Sequence, residues 1–238
     1  MSTDNLPGPL ALVGSGEYLP QMAGIEAGLL AGRPNRYVQL ATASAPEGAA
    51  AVDRWHALGV AQAERLGAQP VTVPVYDRTD AENPAYADLI EGAGLIYLSG
   101  GDPHYLAETL RDTLVWRAIV ATWRDGAALA GCSAGAMALG SWIPSLRHPR
   151  KGTNPGLGLL ERVGVIPHFD AFAARVPDFV TRFVLPDESS IAVYGIDEET
   201  ALVGGPTEWS VEGRSSVWHL TSRGRGEFPS GTRVTTPG

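Results

Sequence analysis

The 238-residue chain has a single cysteine, Cys132. With no second thiol to pair with, it cannot be a disulfide-framed protein, and a reducing compartment is expected. Basic charge is also scarce: 18 Lys and Arg stand against 26 Asp and Glu, a net charge of −8. No long Lys/Arg run offsets this, which argues against a nucleic-acid partner. Long apolar stretches are missing as well. The opening MSTDNLPGPLALVG has no basic leader, and its apolar run of about five residues is too short for a signal peptide or a membrane span. A cytoplasmic protein without a membrane partner is the expectation. No His/Cys/Asp set has metal-ligand spacing, and neither a metal nor a cofactor is expected.

What is present is a chain that is 44% hydrophobic and 18% charged, enough to build a substantial core. Short apolar runs end in small residues: LALVGSG (10–16), YVQLATAS (37–44), VTVPVY (71–76), GLIYLSGG (94–101) and AALAGCS (127–133). Helical patterns lie between them, near 20–32, 47–67, 83–92 and 103–124. In the last, Leu106, Leu110, Leu114 and Ala118 recur four apart, as one face of a helix requires. Strands alternating with helices predict an α/β fold: a doubly wound, mainly parallel sheet flanked by helices. The ends of its strands then gather along one edge, where such sheets bind ligands.

After residue 141 the pattern changes. SWIPSLRHPRKGTNPGLG (141–158) reads as a loop, followed by a strand-like RVGVIPHF (162–169) and a helix candidate around 170–182. IAVYGIDEETALVGG (191–205) and WSVEGRSSVWHL (209–220) alternate like antiparallel strands and predict a C-terminal hairpin. The tail from about 221 is a last strand or a loose end. No repeat or linker divides the chain, so 1–238 is expected to be one domain.

Gly131-Cys132-Ser133-Ala134-Gly135 fits the G-x-S-x-G nucleophile elbow and sits where that motif works, between an apolar strand and a small-residue helix. Ser133 holds the middle position, whereas Cys132 is still part of the strand and is expected to pack as a small hydrophobe. Upstream, the strand LIYL ends at Ser99-Gly100-Gly101. Paired glycines let a backbone N–H come close to a substrate carbonyl, so the N–H groups of Gly101 and Ala134 are the candidate oxyanion hole.

A serine needs a base. Of the five histidines, His56 falls within a helix pattern, His148 in the basic loop and His219 in the late hairpin. His104 lies near the glycine pair and is a candidate for the pocket, as is Asp102. His168 ends the apolar run Val163–Pro167 and should emerge at the edge that carries Ser133, which makes it the candidate base. For the acid that orients it, Asp170 and the cluster Asp197-Glu198-Glu199 are both open.

Taken together, SGGDPHYL, GCSAGAMALG, GLGLL, PHFD and GIDEETALV, in this order over roughly residues 94–203, resemble the serine peptidase family of dipeptidase E (aspartyl dipeptidase) and cyanophycinase. The resemblance implies a class I glutamine amidotransferase-like fold, a Ser133 nucleophile, a His168 base and an oxyanion hole from Gly101 and Ala134. In the cyanophycinase branch the acid is a glutamate in a G-I-D-E-type block, which implies Glu198 here, with Asp170 in reserve. The dipeptidase branch places an aspartate after the elbow, and SWIPSLRHPRKGTN contains no acid. Family members act beside aspartyl residues, and a substrate carboxylate needs a cation. Arg147 and Arg175 are the candidates, and a small peptide is the expected substrate.

Overall fold

The computed structural model of the chain describes residues 6–144, 154–173, 185 and 191–237. In chain order its first half comprises β1 (Leu10–Val13), α1 (Ala23–Leu30), β2 (Arg36–Leu40), α2 (Ala49–Arg65), β3 (Gln69–Thr72), α3 (Arg78–Ala81), α4 (Pro84–Asp88), β4 (Leu95–Leu98), α5 (Pro103–Leu110), α6 (Leu114–Arg124), β5 (Ala128–Cys132) and α7 (Ala134–Leu139). The second half adds β6 (Gly140–Ile143), β7 (Asn154–Pro155), β8 (Leu160–Ile166), α8 (Phe169–Ala173), β9 (Ala192–Ile196), β10 (Thr200–Gly204), β11 (Glu208–Gly213), β12 (Ser216–Thr221), β13 (Gly224–Pro229) and β14 (Arg233–Thr235).

An eight-stranded sheet runs β14-β11-β10-β1-β5-β4-β2-β3. The five strands β1 to β5 are mutually parallel. Every residue of β1, β4 and β5 is buried, as expected for strands covered on both faces. Two apolar clusters lie against this sheet, one around Leu12, Ile96 and Leu129, the other around Ala11, Tyr37 and Tyr97. Successive side chains of a strand point to opposite faces, which assigns Leu12 and Ala11 to different clusters.

Two expectations need correction. The 103–124 helix is two helices. Asp112 takes φ +63°, and Thr113 starts α6 by accepting a bond from Trp116 N at 3.3 Å while donating to Leu110 O at 2.6 Å. The four-residue stripe therefore breaks at Leu114, and Val115, Trp116, Ile119 and Trp123 form the buried face of α6. The 141–158 loop opens as strand β6 and closes through β7, while 145–153 lie outside the described residues.

The expected C-terminal antiparallel hairpins are present, β10 with β11 and β12 with β13, and they are part of a larger arrangement. A second, six-stranded sheet runs β13-β12-β9-β8-β6-β7, and the chain passes between the two sheets repeatedly. β9 belongs to the second, β10 and β11 to the first, β12 and β13 to the second, and β14 to the first. Period-two alternation identifies a strand but not its neighbour. Among the described residues, no helix is long and apolar enough to cross a membrane.

One buried acid follows from this packing. Glu26 on α1 is 2% exposed and accepts the Tyr37 hydroxyl at 2.8 Å. Burial, only partly offset by that bond, pushes its carboxyl from 4.5 up to about 7. The folded protein then keeps a proton that the unfolded chain loses between those values. Stability falls as pH rises through this window, by up to about 3 kcal/mol. Glu26→Gln keeps an acceptor for Tyr37 and should remove that dependence. In denaturant titrations the variant should exceed the wild type at about pH 8 and approach it at about pH 5. A gap of equal size at both pH values would refute the assignment.

Candidate active site

The elbow explains its own glycines. A Cβ on Gly131 would lie 2.5 Å from the Gly135 carbonyl carbon, and one on Gly135 would lie 2.3 Å from Leu98 O. Between them the chain turns from β5 into α7 at Ser133, with φ +50° and ψ −109°. A non-glycine residue held there costs about 1–3 kcal/mol and persists only where the surroundings enforce it. Ser133 occupies the N-cap position, yet its hydroxyl caps nothing. Instead, Ser133 Oγ lies 3.1 Å from His168 Nε2.

His168 follows β8 by two residues, and Glu198 follows β9 by two residues. These strands are parallel neighbours, so both side chains leave the same edge of the second sheet. His168 Nδ1 lies 2.9 Å from Glu198 Oε1. His168 itself has φ +50°, and its N–H donates to Gly14 O at 3.3 Å. Gly14 follows β1, and a Cβ there would lie 2.1 Å from Asp197 O. The first sheet thus delivers the serine and the second sheet the histidine, and the segment crossing between them carries the glutamate.

The three adjacent acids do different things. Asp197 is 3% exposed and accepts bonds from Ser215 Oγ, Ser216 N and Trp218 Nε1 at 2.7, 3.2 and 3.0 Å. Glu198 faces His168, and Glu199 lies 3.6 Å from Arg214. Asp170, the alternative acid, accepts Glu198 N–H at 3.1 Å, so it holds the backbone of the acid nearest the imidazole.

Cys132 is fully buried, and its thiol donates to Glu17 Oε2 at 2.9 Å. Burial first, and then the Glu17 carboxylate, push this thiol well above its usual range. It therefore stays protonated, whereas a nucleophilic cysteine must be a thiolate.

The Ser99–Gly101 loop packs against the elbow, and a Cβ on Gly100 would lie 3.5 Å from Ser133 Cβ. Gly101 has φ +139°, and a Cβ there would strike Ala43 O at 2.3 Å. Asp102 Oδ1 accepts from the N–H groups of His104 and Tyr105 at 2.9 and 3.0 Å, so this carboxylate caps α5. His104 lines a small cleft with Glu108, Arg111 and Pro155. His219 stacks on Tyr194 at 5.1 Å in the second sheet. Arg147 and Arg175 lie outside the described residues.

Sequence reasoning gave Glu17 no role. The signal was an acid in GSGE at the end of β1, on the same edge as the elbow. Glu17 Oε1 also accepts Gly100 N–H at 3.0 Å, so one carboxylate touches both the elbow strand and the glycine loop.

Mixed α/β sheets flanked by helices, with a serine at a strand–helix elbow, define a class I glutamine amidotransferase-like fold. A putative Peptidase E protein from Listeria monocytogenes EGD-e shares it, with TM-score 0.64 and 18% identity over 88% of this chain and 100% of that one. The chain belongs to peptidase family S51, whose model matches residues 49–208. It is also similar to a peptidase from an acI-B1 Actinobacterium, at 40% identity, TM-score 0.89 and 98% coverage of both chains. No curated protein matches the sequence.

Proposed function

We propose that this chain is a serine-type exopeptidase or dipeptidase acting on small peptides, aspartyl peptides among them, through an acyl-enzyme on Ser133. The carrying observation is the hydrogen-bonded line from Ser133 Oγ through the His168 ring to Glu198, at 3.1 and 2.9 Å. With its ring proton on Nδ1, His168 donates to Glu198 and presents Nε2 as an acceptor to the serine hydroxyl. Nε2 takes the Ser133 proton as Oγ attacks the scissile carbonyl, then returns it to the leaving amine. Water, activated by the same nitrogen, releases the acyl group.

The N–H groups of Gly101 and Ala134 would stabilise the oxyanion. Among the described residues neither N–H has a hydrogen-bond partner, and the Gly100–Ser133 approach brings the loop to the nucleophile. Arg147 and Arg175 remain candidates to bind a substrate carboxylate, and His104 a candidate to line the pocket. Asp102, the other candidate there, has its carboxylate engaged in capping α5 and its N–H engaged by Ala43 O, so its part is to hold the turn that follows Gly101.

The test combines a fluorophosphonate probe with a panel of free dipeptides that includes Asp-X and isoaspartyl members. The expected result is a covalent adduct on the peptide containing Ser133, with amino-acid release from a subset of the panel. No adduct and no release from any dipeptide would favour a noncatalytic ligand-binding protein on the same fold.

A further inference from the structure

The glycine loop is held from several sides before any substrate arrives. Ser99, 1% exposed, has its hydroxyl 2.6 Å from Tyr18 Oη, which also accepts Gln39 Nε2 at 2.7 Å. Asp102 N–H donates to Ala43 O at 2.7 Å. Between these anchors, Gly100 N–H meets Glu17 Oε1, and the other oxygen of Glu17 takes the Cys132 thiol.

A carboxylate is an acceptor at both oxygens, and among the described residues each oxygen has one donor, from a different strand end. Gly100 follows β4, and Cys132 ends β5 immediately before the nucleophile. Glu17 is half-buried and follows β1, which pairs with β5. One side chain therefore spans the two segments whose spacing sets the distance from the Ser133 Oγ to the loop amides. It also settles which amide is available. Gly100 N–H is engaged by Glu17, leaving the next N–H, that of Gly101, for a substrate oxygen.

We propose that Glu17 is a positioning residue for the oxyanion hole, clamping the Ser99–Gly101 loop to the nucleophile elbow through Gly100 N–H and the Cys132 thiol. This rests on the serine peptidase reading above. Glu17 acts through Gly100 and Cys132, without touching the reacting atoms. The lone cysteine becomes a hydrogen-bond donor within the clamp. The protonated state that burial imposes on its thiol suits that role.

The experiment compares the wild type with Glu17→Ala and Glu17→Gln by three measurements: thermal unfolding, exchange of the Gly100 amide proton by NMR, and the second-order rate of fluorophosphonate attachment to Ser133. Glu17→Ala should speed Gly100 exchange by about tenfold or more, as loss of a charge-assisted bond implies. It should slow attachment by about 100-fold, as for a misplaced oxyanion donor. Glu17→Gln keeps one carbonyl oxygen for Gly100 N–H and should recover most of both effects.

Attachment at the wild-type rate in Glu17→Ala, or a loss that only tracks its unfolded fraction, overturns the proposal. A glutamine variant as slow as the alanine variant also overturns it, since charge and not the loop contact would then matter. If the wild type neither labels at Ser133 nor releases amino acids from any dipeptide, the peptidase reading fails. Gly100 exchange then decides by itself whether the clamp exists.

Discussion

Ser133→Ala should lower kcat/KM on any cleaved dipeptide by about 10⁴-fold or more, leaving only what binding and the oxyanion donors supply. The reason is geometric. Ser133 Oγ is the hydroxyl 3.1 Å from an imidazole nitrogen, and no other group at the elbow can replace it. Cys132 is adjacent in sequence, but its side chain lies inside the sheet packing and bonds to Glu17. Cys132→Ala removes one of two donors to that carboxylate, a net bond worth about 1 kcal/mol, so its cost should stay within about tenfold. A Cys132→Ala loss matching that of Ser133→Ala would transfer the nucleophile to the thiol and undo the assignment.

The second large effect is expected at the base. His168→Ala should also cost about 10⁴-fold in kcat/KM, because a neutral serine hydroxyl is a poor nucleophile without a proton acceptor. Glu198→Gln should fall by about 10²- to 10⁴-fold. An amide can present N–H to Nδ1 and favour the wrong tautomer. Glu198 and His168 are 40% and 45% exposed, so their mutual attraction is worth little to stability. Thermal midpoints should move far less than rates. His219→Ala provides the contrast: its ring packs on Tyr194 in the second sheet, and its activity should follow its folded fraction. If His219→Ala instead abolished turnover while His168→Ala spared it, the acid–base assignment would pass to an esterase-type order of Ser133, a later acid and His219.

The elbow and its central serine were legible because their determinants are local. Small residues two positions either side of Ser133 are what the close approaches at Gly131 and Gly135 demand. The parallel strands were legible for a similar reason, since burial on both faces leaves a continuous apolar run. His168 could be chosen because a polar residue ending such a run must emerge at the sheet edge. The break between α5 and α6 was hidden, because the apolar spacing continues across a left-handed Asp112 that spacing does not register.

The sequence by itself determined the parallel core, the elbow with serine in its middle position, and the peptidase family. Tertiary structure alone decided where each of the three adjacent acids points. Asp197, Glu198 and Glu199 are chemically alike and adjacent. The chain leaves one sheet for the other at this point, and Glu199 takes φ +54°. Their side chains therefore diverge, toward a buried donor cluster, the His168 ring and Arg214. Glu17 is 115 residues from Cys132 and 83 from Gly100. No spacing rule links positions that meet only because β1, β5 and β4 lie side by side.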